Sequence, residues 1–267
     1  GMGNMLILGA GYTGMHLAAR LRAEGWRVTV VRREAGDGVL AFADRRGVEA
    51  AIGRASHILS SVPPAQGEDP VLALYGDTLR ASAAKWIGYL SSTGVYGDTG
   101  GAWVDESAPI GEGRRQERAQ ADLLWQHLRA DIWVFRLPGI YGPGRSALDR
   151  VRAGKAHRID LPDQVFSRIH VDDIVSGVIA SFAGPPGVYN LADDLPASQN
   201  SVIEMACDLI GLPCPPLQAF EQAALSPMAA AFYAENRRVA NGKAKRLLGW
   251  RPAYPTCKEG LRACLDE

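Results

Sequence analysis

Residues 4–25, NMLILGAGYTGMHLAARLRAEG, decide the fold of this chain. They begin with an apolar run of the length of a buried strand and continue into a helical pattern. Between the two, Gly9, Gly11 and Gly14 have the spacing G-x-G-x-x-G. A strand, a glycine turn and a helix in this order predict a site for the pyrophosphate of a dinucleotide.

Each glycine of this turn has a physical task. Gly9 permits the tight turn, Gly11 lets the pyrophosphate approach the backbone, and Gly14 lets the helix pack closely on the strand. The free N–H groups of the first helical turn, which includes Tyr12 and Thr13, would hold the phosphates at the positive end of the helix dipole. The alternative is a glycine turn that binds nothing, which we disfavour because a second strand and helix follow.

The second strand, predicted at 27–31, ends beside Arg32 and Arg33. In a dinucleotide fold this position faces the adenosine ribose, where an acidic residue selects the free hydroxyls of NAD and an arginine accommodates the 2′-phosphate of NADP. The sequence therefore predicts NADP(H) over NAD(H). The alternative is that both arginines are only solvated and that Glu34 reaches the ribose.

The composition indicates a globular chain with one large core. It has 267 residues, of which 47% are hydrophobic, and 29 basic residues balance 29 acidic ones. This balance gives no sign of a nucleic-acid or membrane partner. We expect a cytoplasmic protein with no secretory leader and no membrane span. No C-x-x-C pair is present, so we expect thiols rather than zinc ligands or disulfides at Cys207, Cys214, Cys257 and Cys264.

Strands and helices alternate through the first half of the chain. The patterns predict further strands at 39–42, 58–62, 86–91 and 132–136, and helices at 45–54 and 71–84. This alternation predicts an α/β fold, a Rossmann-type doubly wound parallel sheet. Ser60 and Ser61 end the fourth strand and are expected near the cofactor. The later patterns predict a strand at 188–191 and helices at 146–153, 172–182, 198–210, 241–248 and 258–265. They also predict a helix at 219–234 that is interrupted near Pro227.

Five further segments resemble those of one enzyme superfamily. They are SSTGVYGD at 91–98, RLPGIYGPGR at 136–145, RIHVDDI at 168–174, YNLADD at 189–194 and LLGWRP at 247–252. In this order they resemble the extended short-chain dehydrogenase/reductases, the group of NAD-dependent nucleotide-sugar epimerases and dehydratases. The resemblance covers nearly the whole chain.

The resemblance implies a dinucleotide-binding core at residues 1–137, to which later segments return, and a small substrate lobe with C-terminal helices at 138–267. It implies that Ser92, at the end of the fifth strand, contacts the reacting oxygen of the substrate. The other predicted substrate contacts are Tyr96, Tyr141, Arg145 and Arg168. Unless the two arginines are surface residues, they predict an anionic substrate. A homodimer is expected because this family often forms one.

The chain departs from the family at the residues that carry its chemistry. The family uses Tyr-x-x-x-Lys, in which the tyrosine exchanges a proton with the substrate and the lysine holds the nicotinamide ribose. Counting back from Asp122, the tyrosine position is Arg114 and the lysine position is Arg118. A guanidinium cannot replace a phenol, although Arg118 can donate hydrogen bonds to ribose hydroxyls. The alternative is an arginine-rich helix that faces water.

A kept glycine turn with a lost Tyr-x-x-x-Lys pair resembles the atypical subgroup of the superfamily. The sequence leaves two functions open. The first is an oxidoreductase, or an epimerase/dehydratase-like enzyme, that lacks the usual Tyr-x-x-x-Lys pair. The second is a non-catalytic NADP(H)-sensing or interaction protein. Ser92 and the substrate-lobe segments favour the first, and Arg114 favours the second. His170 is either an acid–base group or a brace for the start of a helix, and we favour the brace.

Overall fold

The computed structural model describes residues 2–111, 113 and 116–265. In this part of the chain the strands are β1 (Asn4–Leu8), β2 (Arg27–Arg32), β3 (Val39–Ala41), β4 (His57–Ser60), β5 (Trp86–Ser92), β6 (Trp103–Val104), β7 (Trp133–Leu137), β8 (Gly139–Tyr141), β9 (Arg158–Ile159), β10 (Arg168–His170), β11 (Gly187–Asn190), β12 (Leu217–Gln218) and β13 (Arg238–Val239). The helices are α1 (Tyr12–Ala23), α2 (Arg45–Arg54), α3 (Pro70–Ala81), α4 (Gln116–Gln126), α5 (Ala147–Arg152), α6 (Val171–Ser181), α7 (Gln199–Ile210), α8 (Pro227–Phe232), α9 (Gly242–Leu248) and α10 (Cys257–Leu265). Short 3-10 turns span Thr93–Tyr96 and Phe220–Ala223.

Strand β1 lies inside a seven-stranded parallel sheet with the order β11–β7–β5–β4–β1–β2–β3. The chain runs from β1 to β2 and β3 on one side, then crosses to β4 and its neighbours on the other. In a parallel sheet this reversal opens a crevice at the carboxyl ends of the strands beside β1. The prediction of a Rossmann-type doubly wound sheet is confirmed.

The side chains of β1 alternate between the two faces of the sheet. Met5 and Ile7 pack with apolar residues of α1 and α6, whereas Leu6 and Leu8 pack with those of α2, α3 and α4. Because helices cover both faces, the strand is a continuous apolar run rather than an alternating one. These two cores hold the carboxyl ends of the strands in place.

After Leu137 the chain divides between the sheet and a third core. Helix α6 and strand β11 return to the sheet, and Trp250 packs into the same core. Helices α5, α7 and α10 pack on one another through Leu148, Ile203 and Leu261. The proposed boundary between residues 137 and 138 stays a prediction.

Most predicted elements lie within two or three residues of the observed ones, and the predicted interruption of the helix at 219–234 near Pro227 is confirmed. The stretch 219–234 is divided into a 3-10 turn and α8, which are separated at Ala224 with its left-handed φ of +49°. Ser226 caps the new helix by accepting the N–H of Ala229 at 3.2 Å, and Pro227 occupies its first turn. A proline lacks the N–H that a continuous helix needs, so the chain restarts there.

Candidate cofactor and substrate clefts

The glycine turn between β1 and α1 has the geometry that its sequence predicts. Gly9 has a φ of +82°, and a Cβ there would lie 2.5 Å from Cγ2 of Val62. A Cβ on Gly14 would lie 3.2 Å from Cγ2 of Ile7, so its absence permits the close packing of α1 on β1. A Cβ on Gly11 would meet nothing within 4 Å. The backbone at Gly11 is therefore open to a ligand.

This turn lines a cleft of about 680 Å³ at the carboxyl ends of the strands, which we call the candidate cofactor cleft or, for short, the cofactor cleft. Tyr12 and Thr13, the first two residues of α1, also face it. The cleft is strongly cationic, because its described lining includes no carboxylate and includes Arg32, Arg33, Arg118 and Arg145. An open glycine turn at a helix N-terminus with four guanidinium groups around it fits a dinucleotide with several phosphates.

Arg32 ends β2, and both it and Arg33 are exposed in this cleft. Glu34 does not line it. Phe42 forms the neighbouring part of the wall, and its N–H donates to the Arg32 carbonyl at 2.7 Å. Sequence reasoning missed Phe42 as a cleft residue, although its position at the end of the third strand is a signal that could have found it.

The two serines at the end of β4, Ser60 inside the strand and Ser61 after it, have different surroundings. Ser61 lines the cleft, and its hydroxyl donates to the carbonyl of Gly9. Ser60 is fully buried, and its Oγ accepts the N–H of Val62 at 3.4 Å. The structure therefore brings Ser61 to the predicted cofactor site and leaves Ser60 behind the wall.

Ser92 lies where the cofactor cleft meets a second cavity. It is the last residue of β5, and its Oγ accepts the N–H of Gly94 at 3.0 Å. Its own hydrogen has no acceptor in the part of the chain that the structure describes, so the hydroxyl is available to donate to a ligand. This is the position that the sequence assigned to the substrate oxygen.

A buried polar network lies directly behind Ser92. Ser91 donates to Oδ2 of Asp122 at 2.6 Å, and Arg136 binds the same carboxylate. Arg136 also donates to the Tyr96 hydroxyl at 3.2 Å, and that hydroxyl donates to Oδ1 of Asn190 at 2.6 Å. Burial raises the pKa of Tyr96 to about 12. Tyr96 lines neither cleft, so the structure does not bring this predicted substrate residue to the site.

Arg118 reaches the cofactor cleft from the first turns of α4. One of its terminal nitrogens donates to the Leu90 carbonyl at 3.4 Å, and its other terminal N–H groups have no acceptor among the described residues. A guanidinium with donors to spare in a cleft is suited to bind ligand hydroxyls. Arg114, the residue at the family's tyrosine position, lies outside the described residues.

The second cavity has a volume of about 980 Å³ and shares part of its wall with the cofactor cleft. The shared residues are Ser92, Leu137, Pro138, Ile140 and Arg145. Its described lining is cationic, with Arg145, Arg150, Lys155, Arg168 and Arg237. Glu235 is the one carboxylate of that lining, and it pairs with Arg237 at 3.0 Å. The cavity therefore has a net positive charge in a chain that is neutral overall.

Three of the predicted substrate residues line this cavity. Arg145 lies 5.2 Å over the ring of Tyr12, whose hydroxyl donates to the Pro143 carbonyl at 2.8 Å. Arg168 is anchored by neutral acceptors. Tyr141 is almost completely buried, with its hydroxyl against Gly260, and burial raises the pKa of this phenol far above its usual value. Tyr141 is thus a wall of the cavity rather than an acid poised over a ligand.

His170 holds the start of α6. Its Nδ1 accepts the N–H of Asp172 at 3.0 Å, and burial lowers its pKa, so the ring is neutral. Cys257 lines the second cavity, but burial raises its pKa to about 11 and keeps it a thiol. Within residues 2–111, 113 and 116–265 no cluster of three metal-ligating side chains occurs. No helix in the same residues has the length and apolar character of a membrane span.

The sheet, the glycine turn and the two adjoining clefts define a protein with the fold of the extended short-chain dehydrogenase/reductases, and the resemblance seen in the sequence is confirmed. No family model matches the chain. The structure of a functionally unknown conserved protein from Silicibacter pomeroyi DSS is 41% identical, with a TM-score of 0.88 over 99% of each chain. At this identity the chain belongs to one family with that protein.

Two other similar proteins are described by activity or ligand. The 3-diazoavenalumate denitrifying reductase of a Streptomyces species is 29% identical over 96% of this chain and 99% of its own length. The human epimerase family protein SDR39U1, solved with NADPH, is 18% identical with a TM-score of 0.80 over 99% of each chain. The second likeness shows the fold alone.

Proposed function

We propose that this protein is an NADP(H)-dependent oxidoreductase that reduces a small organic anion. The observation that carries the proposal is the junction of the two clefts at Ser92, where a group in the cationic second cavity would meet a dinucleotide in the first. When bound, the nicotinamide supplies hydride chemistry. The Streptomyces protein that is similar over nearly its full length is a reductase, which agrees with an oxidoreductase.

The choice of NADP(H) rests on the cofactor cleft. Arg32 and Arg33 would bind the 2′-phosphate, because guanidinium groups bind phosphate oxygens in pairs and no carboxylate in the described lining opposes them. The open backbone at Gly11 and the N-terminus of α1 would hold the pyrophosphate. Arg118 would replace the family's lysine and bind the nicotinamide ribose with its free donors.

The choice of reduction over epimerisation rests on the missing phenol. Epimerisation that starts by oxidising a hydroxyl needs a base to take the hydroxyl proton, and an arginine cannot be that base. Reduction instead needs at most a proton donor. The Ser92 hydroxyl is a hydrogen-bond donor at the junction, where it would orient and polarise the reacting group.

The first test is a fluorescence titration with NADPH and NADH, followed by single-turnover reactions with NADPH deuterated at the transferring position. We expect NADPH to bind at least about tenfold more tightly than NADH, which is about 1.4 kcal/mol. We also expect deuterium to appear in at least one acid of a panel of unsaturated and carbonyl-containing acids. Tighter binding of NADH would contradict the cofactor assignment.

The second candidate is a non-catalytic NADP(H) sensor, which the arginine at position 114 of the sequence favours. It predicts stoichiometric binding of NADPH without deuterium transfer to any acceptor. It also predicts that protease sensitivity of the chain differs between its NADPH and NADP⁺ complexes. Transfer of deuterium at a rate that depends on Ser92 would exclude it.

A further inference from the structure

Arg150 and Arg168 are two cations of the second cavity that form no ion pair with a carboxylate among the described residues. Arg150 projects from α5 and Arg168 from β10, and both line the cavity. Both guanidinium groups face the same cavity, and partial burial together with the charge of Arg168 lowers the pKa of the largely exposed Arg150. Asp149 on the same helix offsets part of the Arg150 charge, but it forms no ion pair with either arginine, and its Oδ2 accepts the N–H of Ser146 at 2.8 Å at the start of α5. Like charges held together in a cavity are stabilised by a bound anion.

Arg168 is fixed in place without losing its charge. It donates to the carbonyls of Phe166 and Ala197 at 3.1 and 2.8 Å, and to Oε1 of Gln199 at 2.9 Å. All three acceptors are neutral, so they orient the guanidinium without compensating it. The three hydrogen bonds use three of the five N–H groups, so the oriented guanidinium keeps two N–H donors for an anion.

Flat apolar groups lie beside this pair of arginines. The ring of Phe166 lies 5.8 Å from Arg168 and makes an edge-to-face contact with Tyr233, with the centroids 5.6 Å apart. Burial raises the pKa of Tyr233, and the charges of Arg150 and Arg168 oppose that rise, so the phenol lies near both. Met228 and Phe232 of α8 extend the apolar wall. The cavity thus joins an anion site to a flat apolar surface.

We propose that this end of the cavity binds an oxyanion group, a carboxylate or a phosphate, on a ligand with a flat apolar body, and that Arg150, Arg168 and the Tyr233 hydroxyl are its ligands. The proposal deepens the proposed function, because this ligand would be the molecule that is reduced. The binding itself needs no cofactor. The proposal adds Arg150 to the substrate contacts predicted at Arg145 and Arg168. The sequence around Arg150 is that of a charged, exposed helix and does not indicate a ligand.

The test is calorimetric titration of the full chain with cinnamate, phenyl phosphate and the neutral cinnamamide. We expect at least one anion to bind at least about tenfold more tightly than the amide. The tighter anion identifies the group as a carboxylate or a phosphate. Equal affinity of anions and amide, or no binding of either anion at millimolar concentration, would overturn the proposal.

Two variants localise the site. Arg150→Gln should weaken the preferred anion at least about tenfold, whereas Arg152→Gln, on the same helix but outside the cavity lining, should bind it as the natural chain does. Equal affinity of both variants would place the anion elsewhere. Since Arg168 also anchors three neighbouring groups, Arg168→Gln serves only as a second variant, with its melting temperature measured in parallel.

The NADPH titration separates this proposal from the proposed function. A chain that binds cinnamate through Arg150 but not NADPH would keep the anion site and refute the oxidoreductase. A chain that binds NADPH but neither anion would keep the cofactor assignment and overturn the anion site.

Discussion

Arg136 and Asp122 form a buried bidentate ion pair, with Nε–Oδ2 and Nη2–Oδ1 distances of 2.9 Å each. Their side chains are 3% and 0% exposed. The pair joins β7 to α4, and Arg118 lies one helical turn before Asp122 on the same helix. The ion pair therefore fixes the rotation of α4 and with it the position of Arg118 in the cofactor cleft.

Replacing Asp122 by asparagine should strongly destabilise the protein. The substitution keeps the shape of the side chain but leaves the buried Arg136 cation without its counter-charge, which costs about 3–5 kcal/mol. Urea unfolding measures the change. As a control, Asp77→Asn breaks the exposed pair with Arg80 and should cost less than about 1 kcal/mol. Similar losses in both variants would mean that the buried charge is compensated in another way.

Gly11→Ala should weaken the cofactor without harming the fold. The new Cβ meets nothing within 4 Å among the described residues, and φ at Gly11 is negative (−89°), although its ψ of −148° lies outside the main regions of alanine, so the melting temperature should change little. The same Cβ would enter the space of the pyrophosphate and raise the Kd for NADPH at least about tenfold. Gly14→Ala is the matched variant, since its Cβ would lie 3.2 Å from Cγ2 of buried Ile7 and its melting temperature reports on the packing of α1 against β1. Unchanged NADPH affinity in the Gly11 variant would place the pyrophosphate elsewhere.

Arg32→Ala should reduce the preference for NADPH. Loss of one charge-assisted contact to the 2′-phosphate raises the Kd for NADPH about tenfold, while the Kd for NADH stays nearly constant because NADH has no such group. Fluorescence titration measures both. Arg27→Ala, an exposed arginine at the opposite end of β2, is the control. Equal weakening of both cofactors would assign Arg32 to another part of the dinucleotide.

Ser92→Ala should slow hydride transfer and spare cofactor binding. The hydroxyl lies at the junction of the clefts, and removal of one such hydrogen-bond donor costs on the order of 10–100-fold in rate. Single-turnover oxidation of NADPH measures the rate, and the Kd for NADPH is measured alongside. Ser107→Ala, at an exposed turn, should change neither quantity. A normal rate in the Ser92 variant would remove this serine from the mechanism.

Asp193 should make the protein less stable as the pH rises from 4 to 7. Burial raises its pKa from 3.8 to about 7, and its Oδ2 has no hydrogen-bond partner. In this range the unfolded chain releases the proton and the folded chain keeps it, so folding loses about 1.4 kcal/mol per pH unit at most. The Asp193→Asn variant and the natural chain should have similar free energies of unfolding near pH 4. Near pH 7 the free energy of unfolding of the variant should be the larger one.

Asp194 is the control, because its effect on stability should change with pH in the opposite direction. Although partial burial acts to raise its pKa, hydrogen bonds from Lys245 and Asn241 hold it below the usual value. Its contribution to stability is present above that value and is lost as the pH falls through the lowered pKa. Asp194→Asn should therefore lose stability near pH 7, by less than about 1 kcal/mol because the pair is partly exposed. The same sign in both variants would contradict the assignment at Asp193.

The parts of the site that sequence could predict are those set by local rules. The glycine turn and the serine at the end of β5 follow from short-range spacing, and the structure places Gly11 and Ser92 on the clefts. Tyr96 was predicted at the substrate because it is close to Ser92 in the chain. Its buried partners, Arg136 and Asn190, are 40 and 94 residues away, and no local pattern shows that they hold its hydroxyl inside.

Long-range packing also explains the residues that sequence missed. Arg150 is one of several charged residues in a short helix, and only the packing of the third core turns it toward Arg168. Strands β8 and β10 are three residues each and pair across about 30 positions, too short for a period-two pattern to be distinguished from a loop. They carry Tyr141 and Arg168 to the wall of the second cavity.

The core on the α1 face of the sheet has a consequence for synthesis. Trp86 and Phe135 come about 50 or more residues before the groups that cover them: Ser181 accepts the Trp86 indole N–H at 3.0 Å, and Tyr189 stacks on Phe135. Trp250 completes the same core. A nascent chain therefore exposes this apolar face until most of its length has left the ribosome, and folding is a late event that needs protection from aggregation.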